Sequence, residues 1–113
     1  MSLVIYHNPR CSKSRATLAL LQEQGQSPQI IEYLKEPLDS STLLDLAGKL
    51  GVSVTDMIRK TEAPYKDLNL ASADEYALIS AICTHPILLQ RPIVVKDARA
   101  VIGRPPENVL SIL

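Results

Sequence analysis

Leu3-Val4-Ile5-Tyr6-His7-Asn8-Pro9-Arg10-Cys11-Ser12-Lys13-Ser14-Arg15 is the stretch on which the reading of the fold turns. Leu3 to Tyr6 is a short apolar run closed by His7-Asn8-Pro9, which predicts a buried strand ending in a turn. Ser12 to Glu23 predicts a helix: Ala16, Leu18, Ala19, Leu20 and Leu21 form its apolar face, and Gly25 suits the position beyond its end. Gln29-Ile30-Ile31-Glu32-Tyr33 predicts a second strand. Two strands joined by one helix form a parallel pair with a right-handed crossover.

Downstream, Asp39-Ser40-Ser41 predicts a cap for a helix over Thr42–Leu50, with Gly51 as its stop. Ser53 opens a short helix through Arg59, and Pro64 keeps it from running on because proline lacks the N–H a helix interior needs. A further helix is predicted over Asp74–Thr84, ending at His85-Pro86. Pro92–Val95 and Ala98–Ile102 are apolar runs one tight turn apart, the pattern of a hairpin. Pro105-Pro106 fits the first turn of a C-terminal helix. The order is β-α-β, a helical insertion at about 39–85, a β-hairpin and a helix, an α/β fold with a small mixed sheet.

Composition bounds the function. The 113 residues suit one domain, 1–113, and 46% hydrophobic with 21% charged residues is ordinary for a globular chain. The longest apolar runs are far below the roughly 18–20 residues that span a bilayer, and no basic leader precedes Leu3. Two cysteines make no disulfide framework, which points to a reducing, cytoplasmic setting. Twelve basic side chains balance twelve acidic ones, arguing against general affinity for nucleic acid or anionic membrane. The balance is uneven along the chain. Residues 1–31 hold three basic groups against one acid, 32–75 five against nine, and 76–113 four against two. If the two ends meet, they make a locally cationic site.

Cys11 is the first candidate for chemistry. It follows a strand and a turn and stands where a helix begins, so unpaired backbone N–H groups and the helix dipole favour its thiolate. Arg10, Lys13 and Arg15 add positive charge. A lone cysteine is by default a small buried apolar residue, but this setting favours a reactive thiol. Cys11-Ser12-Lys13-Ser14 has the spacing of a CxxC motif with serine in second place. Ser14 cannot resolve a mixed disulfide, although its hydroxyl can donate to the thiolate, so a reducing partner is external or is Cys83. Cys83 lies in the apolar helical stretch Ile79–Cys83 and reads as a buried structural cysteine.

His7 either supports the thiolate, by charge or hydrogen bonding, or only closes the strand. His85 suits a helix C-terminus. Arg59 ends a short helix; Arg91 and Arg104 each precede a proline, which biases them to extended geometry at loop positions where open α/β sheets bind ligands. Guanidinium groups bind tetrahedral oxyanions through bidentate hydrogen bonds, while any one of the three alone reads better as a solvated surface arginine. No His/Cys/Asp/Glu cluster has metal spacing, no glycine-rich phosphate loop occurs, and no role follows for any of the four tyrosines.

Tyr6-His7-Asn8-Pro9-Arg10-Cys11-Ser12-Lys13-Ser14-Arg15 resembles the N-terminal signature of the glutathione- and glutaredoxin-coupled arsenate reductases. The resemblance continues in Ile58-Arg59-Lys60 with Pro64-Tyr65, in His85–Val95, and in Gly103-Arg104-Pro105, in the family's order across essentially the whole chain. It implies a thioredoxin-like fold with a helical insertion. It implies Cys11 as nucleophile, His7 and Ser14 as supports of its thiolate, Arg59, Arg91 and Arg104 as oxyanion ligands, and Pro92 as the cis-proline facing the cysteine. It further implies no bound cofactor or metal, glutathione as co-substrate, glutaredoxin as partner, and a thiol–arsenic adduct on the way from arsenate to arsenite. Ser12-Lys13 stands where well-established members tend to have Gly-Thr, and Arg10 where they tend to have an uncharged residue, features shared with a less characterised, arsenate-reductase-like subgroup. Two alternatives share the fold. One is an Spx-like regulator that binds RNA polymerase, a class that commonly carries the second cysteine which Ser14 replaces here. The other is a monothiol glutathione-linked oxidoreductase that does not use arsenate.

Overall fold

In a computed structural model of the protein, which describes residues 3–113, the run Leu3–Tyr6 forms strand β1. The chain divides into two compact units, one built from the described residues up to Glu36 with Arg91–Leu113, the other from Pro37–Gln90.

In the first unit β1 is the strand around which the sheet is ordered. It pairs in parallel with β2 (Gln29–Ile31), placing Ile31 opposite Tyr6, and antiparallel with β3 (Ile93–Lys96), placing Ile93 opposite Tyr6 from the other side. β3 turns through Asp97 (φ 55) and Ala98 into β4 (Arg99–Ile102), giving the order β2-β1-β3-β4. The mixed sheet and hairpin agree with the sequence reading, but β2 stops two residues before Tyr33. Its backbone turns away because the Glu32 carbonyl accepts from the N–H groups of Lys35 and Glu36, both at 2.9 Å.

Helix α1 (Ser12–Glu23) connects β1 to β2. It ends at Gly25 (φ 76), where the Gln26 N–H reaches back to the Leu21 carbonyl at 3.0 Å and the Gly25 N–H to that of Gln22 at 3.0 Å. This six-to-one and five-to-two pair of bonds closes a helix with a left-handed residue, which glycine adopts without steric cost. Ile5, Leu21, Val94, Val109 and Ile112 make the core. Each such side chain contributes roughly 1.5–3 kcal/mol on burial, more than a cap at about 1 kcal/mol, so packing holds α1 to the sheet.

The C-terminal helix forms where the sequence reading puts it. Pro106–Ile112 winds as a 3-10 helix, not an α-helix. In 3-10 winding residues three apart eclipse, which stacks the buried Val109 and Ile112 on one side.

In the second unit α2 (Ser40–Leu50) is capped by Asp39, whose carboxylate accepts from the Thr42 N–H at 2.8 Å. The helix expected through Arg59 is cut to a 3-10 turn at Val54–Met57. Ile58 is extended and bridges Leu89, and the N–H groups of Arg59 and Gln90 donate to the carbonyls of Leu88 and Met57, both at 2.7 Å. Pairing with that distant segment replaces the helical bonds. Pro64 does more than end a helix: it occupies the first turn of α3 (Ala63–Asp67), where its missing N–H costs nothing. α4 (Glu75–Thr84) is capped by Asp74, and Leu43, Leu46, Met57, Ile82 and Leu88 are buried in this unit. Among the described residues no helix is long and apolar enough to cross a membrane.

Gly103 sits where α1 meets the end of β4. A Cβ there would lie 2.8 Å from the Thr17 hydroxyl oxygen and 3.0 Å from Pro92 Cγ. Thr17 is fully buried and its hydroxyl donates to the Lys13 carbonyl at 2.8 Å, so it has little room to yield. Gly103→Ala is therefore expected to lower unfolding free energy by about 1–3 kcal/mol, the usual cost of overpacking. Urea denaturation of the two proteins measures it.

Candidate active site

The residues after β1 fold into a turn because Asn8 bonds in both directions. Its carbonyl accepts from the Cys11 N–H at 3.0 Å and its side-chain oxygen from the Arg10 N–H at 3.0 Å. Its own N–H donates to the Ser14 hydroxyl at 3.0 Å. The His7 N–H donates to the Ile31 carbonyl at 2.8 Å, extending the β1–β2 pairing into the turn. Cys11 emerges as the N-cap residue of α1, extended at φ −92 and ψ 123 and partly exposed.

At that position the thiol is open to the first free amides of the helix. Burial pushes its pKa up, but the backbone N–H of Ser14, the Arg91 guanidinium and the Lys13 N–H together pull it below the ordinary value. No side-chain hydrogen bond caps the helix in the thiol form; the donors act on the anion, which accepts far more strongly than a neutral thiol. Cys11 is thus poised as a nucleophile.

Ser14 and His7 play a different part from the one the sequence implies. The fully buried Ser14 hydroxyl lies 2.7 Å from His7 Nδ1 and also accepts from Asn8. It is committed to the turn, and what Ser14 offers the thiolate is its backbone N–H. Burial lowers the His7 pKa, Glu32 works against that and Arg15 with it, so the ring is neutral at pH 7 and supplies no charge.

Arg91 is the closest cation to the thiol in chemical effect. It precedes β3, its peptide to Pro92 is cis, and its Nε and Nη1 are buried without a hydrogen-bond partner. The exposed Arg104, whose peptide to Pro105 is also cis, donates from Nη1 to the Arg91 carbonyl at 3.4 Å. Cys11, His7, Ser14, Arg91, Pro92 and Arg104 therefore belong to one unit. Arg59 belongs to the other, where it pairs with Glu62 at 3.5 Å and its Nη1 makes no hydrogen bond. Cys83, also in that unit, is partly exposed and not buried as the sequence suggested. Burial and the charge of Asp39 raise its pKa, the opposite of Cys11.

The sequence reading missed two residues. Asn8 organises the turn, and Tyr33 is 1% exposed with a hydroxyl that bonds to nothing. The available signal was position: both follow strands at the carboxyl end of a parallel pair, where α/β sheets place ligands. Among the described residues no group of His, Cys, Asp and Glu is arranged to hold a metal ion.

The sequence pattern of the ArsC family matches residues 6–112. The chain belongs to the ArsC family. Among relatives in the ArsC family, the arsenate reductase of Haemophilus influenzae is 48% identical over all of both chains. The uncharacterized protein YfgD of Escherichia coli is 54% identical, over 96% of this chain and 94% of its own. The solved structure of the arsenate reductase from Vibrio cholerae superposes with a TM-score of 0.97 at 51% identity, covering 100% of this chain and 98% of that one. The fold is thioredoxin-like.

Two measurements follow from this ArsC-family site. Alkylation of Cys11 against pH should show a midpoint below the free-thiol value of about 8.5, and Arg91→Ala should move it up toward that value. Ser14→Ala keeps the backbone donor, so it should move the midpoint less. It should cost about 1–3 kcal/mol of stability instead, because Asn8 N–H and His7 lose their partner. The neutral His7 contributes stability that is full above its unfolded value of 6.5 and lost as pH falls through the lower folded value. Urea midpoints at pH 7.5 and 5.5 should therefore separate more in wild type than in His7→Gln.

Proposed function

We propose that this protein reduces arsenate to arsenite through a covalent adduct on Cys11, in the reducing cytoplasm, with glutathione and glutaredoxin as the thiols that complete the cycle. The observation that carries this reading is the coincidence at one point of a thiol held below its ordinary pKa and an arginine whose buried Nε and Nη1 lack acceptors. A nucleophile beside guanidinium donors fits attack on an oxyanion. The names of the Haemophilus influenzae and Vibrio cholerae relatives support arsenate as that oxyanion.

The Cys11 thiolate attacks arsenic(V), and one arsenate oxygen leaves as water after protonation. A glutathione thiol displaces a second oxygen, also as water, leaving arsenic(V) bound to both sulfurs. A glutaredoxin thiolate then attacks the glutathione sulfur. That arsenic–sulfur bond breaks with its electron pair remaining on arsenic, which becomes arsenic(III), while the two sulfurs become a mixed disulfide. Water releases arsenite from Cys11. The chain needs borrowed thiols because Ser14 stands where a resolving cysteine would be.

In this reading Arg91 holds the oxyanion and also favours the thiolate, and Arg104 is a further oxyanion ligand, as the family resemblance implies. With arsenate, glutathione, glutaredoxin and NADPH-linked glutathione reductase, wild type should consume NADPH and Cys11→Ser should not; equal rates overturn the proposal. Arg91→Ala should lower kcat/KM for arsenate by about 100-fold, the scale of one lost transition-state donor. Arg104→Ala should weaken arsenate use while leaving the Cys11 alkylation profile in place.

A further inference from the structure

Tyr33 has no part in the chemistry so far, yet the sheet register sets it beside the site. Ile31, Tyr6 and Ile93 form one row across β2, β1 and β3. Two residues beyond that row stand Tyr33 after β2, Asn8 after β1 and Arg91 before β3. The charges confirm the neighbourhood. Burial raises the Tyr33 phenol to about 12, while Arg91 and the Asn8 side chain favour its anion and the Cys11 charge opposes it. The phenol is therefore a neutral O–H at working pH, close to Cys11 and Arg91.

What it lacks is an acceptor. The hydroxyl is buried and makes no hydrogen bond, and buried tyrosine hydroxyls nearly always find a partner. Its polar neighbours cannot serve. The Arg91 guanidinium only donates. The Asn8 side-chain oxygen accepts from the Arg10 N–H, and toward the phenol Asn8 acts as a donor, favouring its anion. Arg91 Nε and Nη1 are buried and equally without acceptors. Tyr33, just after β2, and Arg91, just before β3, thus bring three buried donors to the neighbourhood of Cys11, where the acceptor at hand is the thiolate itself, and an anion with several oxygens held at Cys11 would accept from all of them.

We propose that Tyr33 is a catalytic residue whose hydroxyl donates a hydrogen bond to an oxygen of the tetrahedral oxyanion held at Cys11, beside the bonds from Arg91 Nε and Nη1. This rests on the oxyanion-reductase reading and adds a neutral donor to it. A neutral donor discriminates. It grips an oxygen-rich anion without adding charge that would also attract chloride or carboxylates to the thiolate.

Tyr33→Phe tests this, since the ring and its packing remain and only an unsatisfied hydroxyl is lost; thermal unfolding should show no loss of stability. Two readouts are taken, turnover of arsenate and protection of Cys11 from iodoacetamide by inorganic phosphate, which binds without being reduced. In Tyr33→Phe kcat/KM for arsenate should fall by about 10- to 100-fold, the scale of one hydrogen bond to a charged group. The phosphate concentration giving half protection should rise about 10-fold or more, with the Cys11 alkylation profile in the absence of anion unchanged. Phosphate protection within twofold of wild type overturns the proposal whatever the turnover, and so does a wild type that phosphate does not protect. A wild type protected by phosphate but inactive on arsenate sinks the reductase reading alone, and the phosphate arm still decides the role of Tyr33.

Discussion

The Ser14 hydroxyl is the constraint on which the chemistry of this fold depends. It is fully buried and sits between the Asn8 N–H and His7 Nδ1. Those two bonds fasten the first turn of α1 to the end of β1, and the helix can then begin only at Ser12, with Cys11 as its cap. An unsatisfied group at that depth would cost about 1–3 kcal/mol, so the turn is held to one geometry and the thiol to one place. Ser14 occupies the spacing of a second redox cysteine but works as a structural clamp, and its contribution to the thiolate comes from the main chain. A sulfhydryl there would be a weaker donor and acceptor for both partners.

The elements that depend on local pattern were legible in the sequence. The apolar run Leu3–Tyr6, the face of α1, the caps at Asp39 and Asp74 and the Pro92–Ile102 hairpin rest on short-range rules, and each element formed close to where those rules put it. Elements that depend on distant partners were not legible. Ile58 leaves its expected helix because Leu89 pairs with it thirty-one positions later, and β2 ends early because bonds to the Glu32 carbonyl turn the chain. Neither cause leaves a local signature.

The same division holds at the site. The setting of Cys11 could be read because a strand–turn–helix junction announces itself in residue order, while the candidacy of Arg91 and Arg104 rested mainly on the family resemblance. The residue order left His7 between supporting the thiolate and only closing the strand; burial lowers its pKa and its ring faces Ser14. Tyr33 was invisible for a related reason. Its proximity to Arg91 is a property of sheet register across three strands, and nothing around residue 33 encodes the partner at 91.

The zero net charge of the chain takes on meaning in this light. Attracting an oxyanion does not need a basic protein; it needs donors that the fold leaves without acceptors. The Cys11 anion already places negative charge at the site, and a second anion must approach it against repulsion. Arg91 offsets the charge of the thiolate, lowering the thiol pKa, and its buried Nε and Nη1 are donors of the kind a second anion would need. Donors buried without acceptors lower the stability of a fold, and an oxygen-bearing anion is the kind of ligand that would satisfy them. Binding strength at such a site comes from bonds the folded chain has left unmade, so selectivity follows the number and direction of those donors more than the total of positive charge.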